Sequence, residues 1–538
     1  MSFLTIIYIL TALAALANLY AELRRDLTML QQNSYRRERY MNWIKQSGDT
    51  TSTPRLLGMA VFLLSQVVWA SVDWAVWVML LFAVCNFIVL LKKKYKKPLV
   101  MTPRARRIMA VDCLICLLLT GGVALGFGLT RPEDILYGVS LAAIALYVLS
   151  HVVTVCSLMI LSPIEKHINQ GYIDDAARIL KSMPQLKVIG ITGSYGKTST
   201  KHFLNTILSQ KFDVLMTPGS YNTTLGVVRT VREMLKPYHQ IFIVEMGAKN
   251  IGDIKEICDL VHPSSAILTA VGEQHLESFK TIENVQRTKF ELVDSLPADG
   301  VAIVNNDFPY VANRRVENVK TLRYAVTNTE GADFIATDIV YSPGGSTFRV
   351  KGTDGTDFTL TTRMVGECNI SNLLGAVVMA LQEGMSYKEI QYGVEQIEAV
   401  EHRLSLKHTP GGITILDDAF NSNPAGSKMA LDVLASMTGG RRIVITPGMI
   451  ELGSLQEELN REFGRHIARS ADIAVIVGNY NREAICSGIE EVLAEKGDAP
   501  KCQLIKVRSF AESQQVLAPM LRKGDVVLYE NDLPDTFK

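Results

Sequence analysis

The sequence predicts a chain in three parts, an N-terminal α-helical membrane domain of about five helices followed by two α/β domains. Three observations carry this reading. Long uncharged apolar runs are confined to the first third of the chain. An apolar strand, a glycine-rich turn and a helical run then follow in LKVIGITGSYGKTSTKHFLNTIL. Short Val- and Ile-rich segments alternate with helical ones towards the C-terminus, as in a wound parallel sheet. A chain of 538 residues is long enough for three or four ordinary domains. The boundaries expected are a membrane domain over 1–162, a linker helix over 163–185, and α/β domains over 186–399 and 400–538.

Four apolar stretches mark the first part: Ser2 to Tyr20, Leu56 to Leu91, Ile108 to Leu129 and Ile135 to Leu161. A bilayer crossing needs about 20 apolar residues, so the second stretch is too long for one crossing. Asp73 divides it, and Trp69, Trp74 and Trp77 around the break suit a tight hairpin with its aromatics at the interface. Five helices result. Arg24, Arg25, Arg36, Arg37, Arg39, Lys45 and Arg55 follow the first helix, and Lys92, Lys93, Lys94, Lys96, Lys97, Arg104, Arg106 and Arg107 follow the third. Basic loops stay cytoplasmic, which puts the N-terminus outside and everything after Leu161 in the cytoplasm, in a multi-pass protein of the cytoplasmic (inner) membrane. The first helix has no basic start and carries its arginines after the apolar run, so it reads as an anchor and not a cleaved signal. Asp112 and His151 are ionisable residues inside apolar spans. Asp112, close to the basic loop, is expected to face the interface; the other reading is a lipid or substrate contact.

Bulk composition excludes some classes. A formal charge of +1 gives no electrostatic case for a nucleic-acid binder. The eight cysteines (85, 113, 116, 156, 258, 368, 486 and 502) are scattered and suggest neither a disulfide framework nor a zinc cluster. Cys113 and Cys116 form a CxxC, but within DCLICLLL and without a second pair they read as small buried hydrophobes.

The glycine-rich turn carries the chemistry. Phosphate oxygens need several backbone N–H donors at close range, a lysine charge and a hydroxyl for magnesium, and Gly193, Gly196, Lys197 and Thr198 supply these parts. The strict phosphate-loop pattern would put a glycine at position 191, where Ile stands; Gly190 is one place early. With Thr192 and Gly193 the segment instead resembles the TGxxGKT loop of the Mur ligase family, and Ser194, Tyr195 and Ser199 complete the nucleotide-binding stretch.

Further segments continue that resemblance in family order. IFIVEMGAKNIGDI resembles the segment whose glutamate, here Glu245, holds magnesium at a strand end, and a strand-end carboxylate is a hard-cation ligand in its own right. ILTAVGEQHLESF makes His275 the implied ligand of a second metal. Lys289 in QRTKFEL resembles the family lysine that is carbamylated and helps hold that metal; the other reading is an exposed helix lysine paired with Glu291. Asn222 in TPGSYNTTLGV resembles the loop facing substrate and phosphates. VNNDFPY, with Asn305 and Asp307, resembles the family's segment after the central ligands. VGECNISNLLGAV resembles the adenine-facing pattern through Gly366, Asn369 and Asn372, with Cys368 where the family usually has His.

EHRLSL followed by TILDDAFNSNPAGSKMALDVL resembles the start of the C-terminal ligase domain, particularly its D-alanyl-D-alanine-adding branch. The pattern DDxYNANPxS aligns with Asp417 to Ser427 apart from substitutions such as Phe420 and Ser422. The resemblance implies that Arg403 faces the nucleotide phosphates, Asp417 or Asp418 the ribose, and Asn421 and Asn423 the substrate. After GDVVLY, Glu530-Asn531-Asp532 replaces the basic, glycine-containing segment typical of relatives.

The resemblance covers roughly Ile189 to Tyr529. It implies an enzyme that uses ATP and Mg2+ to activate a carboxylate as an acyl-phosphate and joins it to an amine, with Lys197, Glu245, His275, Lys289 and Arg403 catalytic and Thr198, Glu245, His275 and Lys289 at the metals. Soluble relatives begin with a small domain that grips a uridine nucleotide; here the apolar helices stand in its place. The expected partners are therefore a membrane lipid or lipid-linked cell-wall precursor and an amino-acid or dipeptide co-substrate, with the oligomeric state open. Two other readings are a membrane-tethered polyglutamate-type synthase and a transporter or lipid flippase energised by the same domain.

Overall fold

The computed structural model describes residues 3–47, 60, 73–93, 95, 97–130, 135–274, 276–342, 345–398, 404–419, 422–437, 439–495 and 501–532. It divides into two compact units, the described residues up to Asn169 and the segment Gln170–Asp532.

The first unit is helical. Its elements are Phe3–Gln32, Arg37–Ser47, Asp73–Lys92, Pro103–Thr130, Ile135–Val148 and the start of Ser150–Lys181. Among the described residues two helices, Thr5–Gln32 and Pro103–Thr130, are long and apolar enough to cross a membrane, and a third span results if the bent pair from Ile135 counts as one. Most of the first half of the predicted hairpin, residues 61–72, lies outside the described residues, and Asp73 opens a helix.

Two expectations change. Ile135 to Leu161 is not one straight helix. It breaks at Leu149 with a 79° bend, and no proline stands there; the Leu149 carbonyl restarts the ladder by accepting from the N–H groups of Val152 and Val153. The linker helix expected over 163–185 is the continuation of Ser150–Lys181, with Pro163 inside it.

The second unit is built on two sheets. The first has nine strands in the order β2-β3-β1-β4-β5-β6-β7-β8-β9. These are Lys187–Thr192 (β1), Val214–Met216 (β2), Ile241–Glu245 (β3), Ser265–Leu268 (β4), Val301–Asn305 (β5), Lys320–Ala325 (β6), Phe334–Ser342 (β7), Gly345–Gly352 (β8) and Asp357–Thr362 (β9). β1 to β7 pair in parallel and β7, β8 and β9 form an antiparallel extension. The central strands are buried on both faces, which is why they read as unbroken apolar runs. Val188 of β1 packs with the core under helices Thr224–Met234, Asp253–Val261 and Ile282–Asp294. Ile189 and Ile191 pack on the other side with helices Lys197–Leu208, Glu367–Gln382 and Tyr387–Glu395.

The second sheet has the order β10-β11-β15-β12-β13-β14. Its strands are Ser405–His408 (β10), Thr414–Asp418 (β11), Arg442–Thr446 (β12), Ile473–Val477 (β13), Gln503–Val507 (β14) and Val526–Glu530 (β15). Only the β10–β11 pairing is antiparallel. In each sheet the chain reverses direction across one central strand, β1 in the first and β15 in the second. A crevice opens outside the carboxyl ends of the strands at such a reversal, and ligands bind there in open α/β sheets.

Candidate active site

In the first crevice Thr192 ends β1, Glu245 ends β3, and residues 269–274 follow β4. The turn 193–196 leads directly into helix Lys197–Leu208, whose first turn carries no side-chain cap. First-turn N–H groups lack intrahelical acceptors and make a helix N-terminus an anion site.

Glycine is required at both ends of this turn. A Cβ on Gly193 would sit 2.1 Å from the Thr269 hydroxyl and 2.8 Å from the Ala270 nitrogen. Gly196 has φ +78°, and a Cβ there would lie 2.1 Å from Asn372 Oδ1. The loop is pinned from behind: Ser194 N–H donates to the Ala270 carbonyl (2.8 Å) and its hydroxyl to the Gly272 carbonyl (3.0 Å). Thr192 Oγ1 donates to the Met246 carbonyl at 2.8 Å, and Tyr195 OH to the Glu273 carbonyl at 3.2 Å. The side chains of Thr192, Ser194 and Tyr195 thus hold the loop to its neighbours, and the backbone is what this stretch offers a phosphate. Lys197 Nζ folds over the turn, 2.7 Å from the Gly193 carbonyl.

Glu245 is the centre of the charge network, with about 1% of its surface exposed. Its carboxylate accepts from Thr198 Oγ1 (3.1 Å) and Asn222 Nδ2 (3.0 Å), and pairs with Lys201 Nζ at 2.9 Å. Burial alone raises its pKa, but the charges of Lys201 and Lys197 and the bonds from Lys201 and Asn222 more than reverse that, so it stays below the usual range. Lys201 also donates to the Gly219 carbonyl at 2.5 Å and so ties the loop carrying Asn222 to the phosphate turn. Sequence reasoning missed Lys201. Its signal was position: it shares the buried stripe of its helix with Leu204 and Leu208, and a lysine on an apolar stripe needs a buried partner.

Lys289 lies inside helix Ile282–Asp294 with about 1% exposure, so the exposed-lysine reading is wrong. Glu291, its supposed partner, accepts instead from the Gly252 and Lys255 backbone. Burial first, and the nearby Lys197 charge second, hold the Lys289 amine well below its ordinary pKa.

Among the nucleotide-side residues, Ser199 is buried and Asn372 Oδ1 accepts from Thr200 at 3.3 Å, while Asn369 donates back to the Val365 carbonyl at 2.9 Å. The Asp307 carboxylate caps the loop after β6 through Val326, Thr327 and Asn328 N–H, and Asn305 bonds Ser371 at 3.0 Å. Cys368 packs against the core of the second sheet's domain, and burial pushes its thiol up to about 12.

At the second crevice Asp417 pairs with Lys407 (2.8 Å) and Asp418 accepts from Leu404 N–H (3.1 Å). Asn423 caps helix Pro424–Ser436 through Gly426 N–H at 2.8 Å. Glu530, the departure at the chain's end, is fully buried at the tip of β15; Ser422 Oγ donates to it, as does Thr446 Oγ1 at 3.0 Å. Burial, aided by Asp418, pushes its pKa up to about 8 against the pull of the two hydroxyls. Glu273 and Gln274 line one cleft with Ser422, Asn423, Ile450, Glu451 and Leu452, and Lys249 meets Glu451 at 3.1 Å. His275, Arg403 and Asn421 lie outside the described residues.

The Thr198 hydroxyl and Glu245 carboxylate lie side by side as the oxygen pair a hard cation takes, and Lys201 shows that the spot favours positive charge. Lys289 as a free amine is no such ligand; as a carbamate it would be. No group of three or more His, Cys, Asp or Glu is arranged for a metal among the described residues.

A phosphate-binding turn on a parallel sheet, a strand-end carboxylate behind it, and a second wound domain sharing a cleft with the first are the parts of a two-domain nucleotide-using enzyme. Residues 191–380 match the Mur ligase middle domain and residues 402–529 match the domain described as Mur ligase, glutamate ligase domain. The chain belongs to the Mur ligase family, ATP- and Mg2+-using enzymes that form C–N bonds. It is 29% identical over 348 residues to the UDP-N-acetylmuramoyl-tripeptide–D-alanyl-D-alanine ligase of Bacillus subtilis, covering 64% of this chain and 72% of the relative. The crystal structure of MurF from Acinetobacter baumannii superposes with a TM-score of 0.60 at 28% identity, covering 67% of this chain and 76% of that one. MurF from Thermotoga maritima, solved in complex with ADP, gives 0.60 at 25% identity over 68% and 80%. Both domain matches begin after residue 190, beyond the helical unit.

Proposed function

We propose that this enzyme activates the carboxylate of a lipid-linked cell-wall precursor as an acyl-phosphate and joins it to an amino-acid or dipeptide amine at the cytoplasmic face of a membrane. The supporting observation is the buried Thr198–Glu245–Asn222–Lys201 network at the mouth of the phosphate turn, set in a chain whose first unit holds long apolar helices. The relatives named for adding D-alanyl-D-alanine to a UDP-linked muramoyl tripeptide supply the reaction type, in peptidoglycan synthesis.

In this reading the turn amides and Lys197 hold the ATP phosphates, while Thr198 and Glu245, with His275 and a carbamylated Lys289, hold magnesium. Bound magnesium would withdraw charge from the γ-phosphate. Burial and the nearby Lys197 charge favour the neutral amine of Lys289, the form that adds carbon dioxide. The family resemblance assigns Asn222, Asn421 and Asn423 to the substrates, Arg403 to the phosphates, Asp417 or Asp418 to the ribose, and Asn369 and Asn372 to the base. The substrate carboxylate attacks the γ-phosphorus with loss of ADP; the amine then attacks the acyl carbon and inorganic phosphate leaves. Catalysis rests on positioning and charge neutralisation. About five crossings with the N-terminus outside would tether both ligase domains in the cytoplasm, and the helices would take over the grip that a uridine-binding domain gives soluble relatives.

Multiple-turnover ADP release should require both a carboxylate and an amine substrate, and Lys197→Ala should lower it by about 10³-fold. ATP hydrolysis coupled only to lipid movement would favour a flippase instead.

A further inference from the structure

Asp112 was expected at the membrane interface, but it is fully buried inside the helical unit. It lies on the inward stripe of helix Pro103–Thr130, in line with Ala105, Ile108, Cys116, Thr120 and Ala124. Neither carboxylate oxygen has a hydrogen-bond partner. The Ser157 hydroxyl of the neighbouring helix Ser150–Lys181 lies alongside without closing a bond of its own, and the Thr154 hydroxyl one turn earlier is buried and unpartnered too. Among the described residues the charge acting on Asp112 is a second carboxylate, Asp26, and no cation stands against it.

A buried carboxylate with one hydroxyl beside it and no counter-charge is strongly unfavourable, and in a helical bundle such a group marks a binding site more often than a packing device. The oxygens present are carboxylate and hydroxyl, the hard ligands of alkali and alkaline-earth ions. Charge selects between these. Asp26 already sits against the His151 ring (2.7 Å), which also meets Tyr40 OH at 2.9 Å, so Asp112 is the one carboxylate of the pair left without such a partner among the described residues, a set that suits a monovalent ion. Full burial excludes a lipid head group, and the negative sign excludes a lipid pyrophosphate.

We propose that Asp112 and Ser157, with Asp26 behind them, form a binding site for a monovalent metal cation of the sodium or potassium type within the helical unit. The test uses the full chain in nanodiscs, titrated with NaCl, KCl or choline chloride at constant ionic strength while thermal unfolding is followed. A saturable rise in Tm with sodium or potassium but not choline is expected. The isosteric Asp112→Asn should abolish it, and Ser157→Ala should weaken the apparent Kd by about tenfold. A response equal in choline, or one that survives Asp112→Asn unchanged, would overturn the proposal; if Asp112→Asn fails to fold, an unaltered Kd in Ser157→Ala does so.

Discussion

Glu245 in the ligase unit and Asp112 in the helical unit are both carboxylates with almost no exposure, yet their surroundings are opposite. Glu245 is met by a lysine and a hydroxyl from helix Lys197–Leu208 and by an amide from the loop carrying Asn222. Asp112 has the Ser157 hydroxyl of the adjoining helix beside it and, among the described residues, no counter-charge. The difference teaches where to look for missing chemistry. A buried charge fully matched by the chain is part of a preorganised site, whereas an unmatched one points to something the chain does not itself provide.

The largest effect should come from unmatching Glu245. Lys201→Met leaves a buried uncompensated carboxylate and should destabilise the ligase unit by roughly 3–5 kcal/mol in denaturant unfolding. Lys201→Met combined with Glu245→Gln should recover much of that loss, because no charge is then stranded. Additive losses would show that Lys201 acts by packing alone.

Glu530 is the intermediate case, a buried carboxyl with hydroxyl partners but no cation. Its folded pKa of about 8 exceeds the ordinary 4.5, so the folded state keeps a proton that the unfolded chain releases. Stability should therefore fall as pH rises between those values, and Glu530→Gln should flatten that slope and gain on the wild type towards pH 8. An unchanged pH profile of Tm would mean that Glu530 is ionised and matched as Glu245 is.

The smallest effect belongs to the half-exposed pair Lys249–Glu451. Lys249→Ala should cost about 0–1 kcal/mol, measured by the same unfolding, and a larger loss would mean that the cleft depends on this pair.

The phosphate turn was legible because backbone geometry demands glycine at 193 and 196 and chemistry demands Lys197 and Thr198 within a few residues of them. Glu245 was legible as a carboxylate at the end of an apolar strand. Lys201 was not, because its partner is 44 residues further along the sequence and only the β1–β3 pairing brings them together. The second sheet could be read as wound α/β from its alternating strands, but not that Glu530 lands at its reversal point beside Ser422 and Thr446. In the helical unit, apolar runs gave the helices. The bend at Leu149 carries no proline signal, and the inward direction of Asp112 depends on packing that hydropathy does not encode.

The central claim, that a Mur-type ligation acts on a membrane-linked carboxylate, is tested most directly by competition. The full chain in nanodiscs, with ATP, Mg2+ and one amine, is offered equal amounts of the same muramoyl peptide in lipid-linked and UDP-linked form, and both products are read by mass. The lipid-linked product should dominate; preferential ligation of the soluble UDP-linked peptide would refute a membrane-linked substrate.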